Sequence, residues 1–115
     1  MSRIKSGKVT RKRHKRLLKQ TKGFWGQRKN IFRRAKETLM RSLAYAFKGR
    51  KLKKRDFRAL FISRISAASE QNGVSYSKFM GGLKKANVGL NKKMISQLAI
   101  FEPEVFSKLV DIAKG

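Results

Sequence analysis

Cysteine is absent from this chain, which excludes disulfides, thiolate nucleophiles and Cys-ligated zinc. Histidine occurs once, as His14, and only six residues are acidic. No paired carboxylates stand in a polar setting, and the lone His lacks a positioned acid–base partner. No HxxE pattern occurs, and no glycine-rich phosphate loop follows a strand. No apolar run approaches the roughly 20 residues that span a bilayer. Together these shortages speak against an enzyme, a cofactor, a metal, a small-molecule substrate and a membrane partner. The basic, serine-containing start has the look of a transit peptide, but its charge density simply continues onward, so it reads as mature sequence.

What the chain has in excess is positive charge. Lys and Arg number 31 in 115 residues, for a formal net charge of +25. A compact protein of one charge sign repels itself, and this excess demands a polyanionic partner. Hydrophobic residues make up 40% of the chain, too many for a purely disordered basic tail. Part of it must fold.

The charge is unevenly spread. Residues 1–58 carry 23 Lys and Arg against Glu37 and Asp56, whereas residues 59–115 carry eight against four acids. Such asymmetry predicts an electrostatic arm joined to a folded module. In the second half, apolar residues recur at helical spacing in four stripes. These are Phe57, Leu60, Phe61, Ile65 and Ala68; then Tyr76, Phe79, Met80 and Leu83; then Met94, Ile95, Leu98 and Phe101; then Val105, Phe106, Leu109, Val110 and Ile112. The punctuation agrees. Asn72-Gly73 predicts a helix stop, Ser75 and Asn91 suit N-caps, and Pro103 suits a first turn. Lys108 and Lys114 complement the dipole of the last helix. Gly81-Gly82 predicts tight packing or a helix end.

In the first half, Val9 to about Lys22 predicts a helix whose apolar residues are only Val9, Leu17 and Leu18. Gly23-Phe24-Trp25-Gly26 breaks it, and Asn30 suits the cap of a long helical segment from Ile31 to Gln71. Unbroken, such a helix would run about 60 Å. Gly49 costs about 1 kcal/mol against Ala in a helix interior, so a bend or fray is expected there. The stripe Phe32, Ala35, Leu39, Leu43, Ala46 and Phe47 either folds back on the first helix or meets another protein. Because Leu17 and Leu18 offer little cover, the second reading is preferred. The expected fold class is all-α, a long basic N-terminal helical extension (1–58) followed by a small helical globular domain (59–115).

Cations with almost no acids among them over 58 residues point to nucleic acid more than to an ordinary solvated face, which mixes signs. The candidate RNA-binding residues of the arm begin with Arg3, Lys5, Lys8, Arg11, Lys12, Arg13, His14, Lys15, Arg16, Lys19 and Lys22. The aromatics Phe24 and Trp25 follow, as base stackers or as a staple between helices, with Arg28, Lys29, Arg33 and Arg34. Further along come Lys48, Arg50, Lys51, Lys53, Lys54, Arg55 and Arg58. On the globule, Arg64, Lys78, Lys84 and Lys85 would add a second contact. A DNA-binding helix-turn-helix around Asn72-Gly73 is the first rival, but the cations lie mostly outside its recognition helix. A membrane-active peptide is the second, and residues 1–22 lack the apolar face it needs.

Several blocks occur in order and in register: Arg13-His14-Lys15, Lys19-Gln20-Thr21-Lys22-Gly23-Phe24-Trp25-Gly26, Lys54-Arg55-Asp56-Phe57-Arg58 and Ile62-Ser63-Arg64-Ile65. They are followed by Gln71-Asn72-Gly73-Val74-Ser75-Tyr76-Ser77-Lys78-Phe79 and Gly82-Leu83-Lys84-Lys85-Ala86. On these, the chain resembles the bacterial and plastid large-subunit ribosomal protein L-twenty family over essentially its whole length. The resemblance implies a long bent helical extension threading between large-subunit rRNA helices, a small C-terminal helical globule, and a role in early subunit assembly. It further implies neighbouring large-subunit ribosomal proteins as partners and, as in some family members, the protein's own messenger RNA. The expected location is the ribosome, in the bacterial cytoplasm or an organelle. The chain departs from the family pattern at Gly49, Phe61 and Glu70.

Overall fold

The computed structural model describes residues 3–115. Among them are five α-helices and one 3-10 turn, and no strand. The helices are α1 (Gly7–Gln20), α2 (Phe32–Gln71), α3 (Tyr76–Lys85), α4 (Lys92–Phe101) and α5 (Pro103–Lys114), and the 3-10 turn covers Gly26–Lys29. This is the all-α class that the periodicities predict. The chain divides into two compact units, Met1–Lys51 and Leu52–Gly115, and α2 contributes residues to both.

In the first unit, α1 pairs with the beginning of α2. His14, Leu17 and Leu18 are half-buried and Thr21 is fully buried. The spacing 14, 17, 18, 21 puts all four on one helix face. Opposite them, Ala35 is fully buried, and Phe32 and Leu39 are half-buried. The apolar stripe of α2 therefore folds back on α1 at its N-terminal end, against the preferred expectation of an external partner. Two residues absent from a count of apolar positions make the difference. The His14 ring stacks on Phe32, and the Thr21 hydroxyl, buried, reaches the carbonyls of Leu18 (3.1 Å) and Lys29 (3.4 Å). Further along the same stripe, Leu43 and Phe47 remain exposed.

Between the helices the chain turns at Gly23 (φ 89°) and Gly26 (φ 60°), a left-handed conformation that glycine adopts without a Cβ penalty. Asn30 does not cap α2. It closes the 3-10 turn, its backbone N–H donating to the Gln27 carbonyl, and the first bond of the long helix runs from the Ala35 N–H to the Ile31 carbonyl at 2.8 Å. At Gly49 α2 does not fray, and its helical assignment is continuous through it. Flanking residues of high helix propensity, Lys48, Arg50, Lys51 and Leu52, carry the ladder across it.

The second unit has a true core. Ile65 of α2, Phe79 and Leu83 of α3, Ile95 of α4, and Phe106, Leu109 and Val110 of α5 are buried together. The Phe79 and Phe106 rings lie 5.1 Å apart at 33°. The four expected stripes are correct in place but too wide, since Phe57, Leu60, Met94, Phe101, Val105 and Ile112 are exposed. A unit this small has interior for only part of each stripe.

The helix ends follow from local chemistry. Gly73 (φ 78°) follows α2, with the Val74 N–H bonded to the Ser69 carbonyl and the Gly73 N–H to Glu70, both at 3.0 Å; this is a Schellman closure. Asn87 (φ 55°) closes α3 in the same way, through Val88 to Leu83 and Asn87 to Lys84. The Asn91 side chain accepts the Met94 N–H at 2.9 Å and caps α4. Ser75 occupies the N-cap of α3, yet its hydroxyl makes no capping bond. Pro103 opens α5. A Cβ on Gly82 would fall on the Ala113 carbonyl, so this glycine sets how closely α3 approaches α5. Asn72 ties the end of α2 to α5: its Nδ2 donates to Ala68, its Oδ1 accepts from Ser107, and its carbonyl accepts from the Lys114 ammonium at 3.4 Å.

Candidate nucleic-acid interface

With His14, Leu17, Leu18 and Thr21 turned inward, the rest of α1 is solvent-facing. Lys8, Arg11, Lys12, Lys15, Arg16 and Lys19 recur at i, i+3, i+4, i+7, i+8 and i+11, so they form a single stripe on the side away from α2. All six are exposed, as are Arg3, Lys5, Arg13 and Lys22. Cations on such a stripe rise by about 5 Å per turn, a linear array suited to a phosphodiester backbone. His14 stands apart from this stripe. Its ring face is occupied by Phe32, with the centroids 3.8 Å apart.

The turn after α1 presents the two aromatics differently. Phe24 is half-buried, whereas Trp25 is 92% exposed. Both line an open groove of about 580 Å³ against α2, together with Arg28, Arg41 and Tyr45. Arg28 and Lys29 are exposed on the 3-10 turn, and Arg33 and Arg34 on the first turn of α2. Lys36 and Arg41 are also exposed. They are missing from the sequence-derived candidates; Arg41 stands half a turn from the apolar stripe, which is enough to place it outward, whereas Lys36 falls within the arc of that stripe.

From Met40 to Leu60 every residue of α2 is exposed. Lys48, Lys51, Lys54, Arg55 and Arg58 share one face by spacing, with Arg50 at its edge and Lys53 on the opposite side. The Lys51 ammonium sits 4.4 Å from the Phe47 ring centroid, and that of Lys53 lies 5.8 Å from Phe57. Each places a cation over an exposed ring on the same helix.

The C-terminal candidates separate. Lys78 and Lys85 are brought together with Lys114 on an open groove of about 690 Å³ between α3 and α5. Lys84 borders a different groove, with Lys92. Arg64 is exposed on α2. From the sequence, Lys114 has only a role in complementing the helix dipole. Its place beside Lys78 and Lys85 depends on the α3–α5 contact, which no spacing along the chain discloses.

The family model "Ribosomal protein L20" matches residues 3–109. Among curated proteins, the chain is 55% identical to a "Large ribosomal subunit protein bL20" of Caldanaerobacter subterraneus subsp. tengcongensis, over 99% of this chain and 96% of the relative. It is 54% identical to the protein of the same name from Alkaliphilus oremlandii, with the same coverage. With the Clostridium botulinum protein of that name the identity is 51%, again over 99% and 96% of the two chains. Matched over residues 3–109 by the family model and more than half identical to these relatives along nearly its whole length, the chain belongs to the ribosomal protein L20 family.

Proposed function

We propose that this protein is a structural constituent of the large ribosomal subunit that binds large-subunit rRNA directly and organises it during early assembly. Its place would be the ribosome of the bacterial cytoplasm, among neighbouring large-subunit proteins, and its work is binding without catalysis. One observation carries the reading: all 23 Lys and Arg of residues 1–58 are exposed, and only two acids stand among them. Burial of His14, Leu17, Leu18 and Thr21 against α2 leaves the α1 cations as an ordered stripe, which a flexible basic tail would lack. Family membership and the bL20 relatives support the choice of large-subunit rRNA over other polyanions.

The division of labour follows from charge. Residues 1–58 neutralise phosphates where RNA helices crowd, without reading base sequence. Arg64, Lys78, Lys84 and Lys85 on the globular domain, residues 59–115, add a second contact, and two-point attachment raises the effective affinity. Binding of the protein's own messenger RNA would draw on this second contact.

The test is a salt titration of binding to protein-free large-subunit rRNA, with duplex DNA as competitor. With ten cations at phosphates, log K falls against log salt with a slope of roughly −7 to −9. A steep slope with preference for a discrete rRNA region is the expected result. Equal binding to DNA and rRNA at every salt concentration would overturn the assignment of rRNA as the partner.

A further inference from the structure

The turn between α1 and α2 holds an unusual combination. Trp25, 92% exposed, is the sole tryptophan of the chain. An indole exposed on a short turn presents a large apolar ring with a polar N–H to whatever docks there. Here it is held outward. Gly23 and Gly26 both have positive φ on either side of Phe24-Trp25, and the 3-10 turn starts directly after Trp25. Across the groove stands Tyr45, itself 68% exposed. Half-buried Phe24, the hydroxyl residues Thr38 and Ser42, and the cations Arg28 and Arg41 complete the lining.

The geometry points to this groove as a receptor for one unstacked nucleobase of large-subunit rRNA, its ring resting on the Trp25 indole and its flanking phosphates on Arg28 and Arg41. The inference rests on the rRNA-binding reading above and adds to it a contact that phosphate neutralisation cannot supply. The occupant follows from charge complementarity. An apolar groove with two guanidiniums beside it, within an arm almost free of acids, favours a ligand that is aromatic and anionic at once. A nucleotide meets both conditions, and every base offers a π-face. Bases inside a paired RNA helix are stacked on one another, so the ligand comes from a loop, bulge or junction.

Because Trp25 is the only tryptophan, its fluorescence in the full chain reports this groove alone. Saturating protein-free large-subunit rRNA should quench it, while inorganic polyphosphate, a polyanion without bases, should leave it nearly unchanged. Trp25→Ala should weaken rRNA binding about 5- to 150-fold at fixed salt and leave the salt slope as it was, and Trp25→Phe should weaken it less. Arg41→Gln should instead lower the slope by about one. The exposure of Trp25 makes loss of folding in its variants an unsuitable explanation, and unchanged circular dichroism would verify this. Steep, selective rRNA binding with no quenching and no loss in Trp25→Ala would overturn the base site and leave the rRNA reading standing. Equal quenching by fully paired RNA would also overturn it, as would a fluorescence change that needs an added ribosomal protein. Loss of all rRNA preference by the native chain would remove both readings together.

Discussion

The imidazole of His14 lies against the phenyl ring of Phe32, with centroids 3.8 Å apart and planes 17° from parallel. This stack links α1 to α2 in a unit whose buried apolar content is small, with Ala35 and Thr21 as its fully buried residues. An aromatic pair contributes about 0.5–1.5 kcal/mol beyond its area, a large share for such a contact. His14→Ala should therefore loosen α1, raising amide hydrogen exchange through residues 8–20 several-fold, while exchange in α3, α4 and α5 stays unchanged. His14→Phe should keep most of the protection. Equal protection in His14→Ala would mean that Leu17, Leu18 and Thr21 hold the helix without the ring.

The two N-caps give a paired prediction. Asn91 accepts the Met94 N–H at 2.9 Å, and Ser75 makes no capping bond. Loss of a working cap costs about 1 kcal/mol. In urea unfolding, Asn91→Ala should lower stability by about that amount with an unchanged m-value. Ser75→Ala should move the midpoint little.

How far the sequence discloses this molecule depends on whether an effect is local. Helix stops at Gly73, the cap at Asn91 and Pro103 at the start of α5 are properties of one or a few residues, and the structure carries them where the residues predict. The inward face of α1 was illegible for a definite reason. His14 and Thr21 are polar residue types, so apolar periodicity counts only Leu17 and Leu18 and judges the face too narrow. It becomes a face because a ring finds Phe32 and a hydroxyl finds the Lys29 carbonyl. Within the candidate interface, the cationic character could be read directly from residues 1–58. The grouping of Lys114 with Lys78 and Lys85 could not, because it is made by the packing of α5 on α3. Asn30 departs from the expected cap for a smaller reason. It lies one residue too early and is used by the 3-10 turn, a competing local structure.

Adjacent glycines on α3 should respond in opposite directions. A Cβ at Gly82 would fall on the Ala113 carbonyl, whereas one at Gly81 meets nothing within 4 Å. Gly82→Ala must push α5 away and should cost about 1–3 kcal/mol or more. Gly81→Ala gains helix propensity without a clash and should stabilise by up to about 1 kcal/mol. Thermal or urea unfolding of the full chain distinguishes them; equal effects would contradict the close approach of α3 to α5.

The last prediction concerns α2 where it carries seven cations in eleven residues, 48–58. Lys51 has Lys48 and Lys54 three residues away and Arg55 four residues away. Each like-charge neighbour opposes the helix by a few tenths of a kcal/mol. Gly49 adds a further cost of about 1 kcal/mol relative to Ala, with nothing packed against it in return. Against these stand the helix propensity of the Lys, Arg and Leu residues around Gly49 and the placement of Lys51 and Lys53 over Phe47 and Phe57, each such placement being worth about 0.5–1 kcal/mol at an exposed site. The balance is unfavourable without counter-charge, so amides 48–58 should exchange fastest within α2 at low ionic strength. Raising salt shortens the Debye length from about 30 Å at 0.01 M to about 10 Å at 0.1 M and should slow that exchange. Binding rRNA should slow it much further, since phosphates replace repulsion by attraction. Gly49→Ala should slow it at every salt concentration by up to about fivefold, the equivalent of 1 kcal/mol. If exchange at 48–58 is slow and independent of salt in the free protein, the helix holds by intrinsic propensity alone, and RNA binding meets a segment already formed.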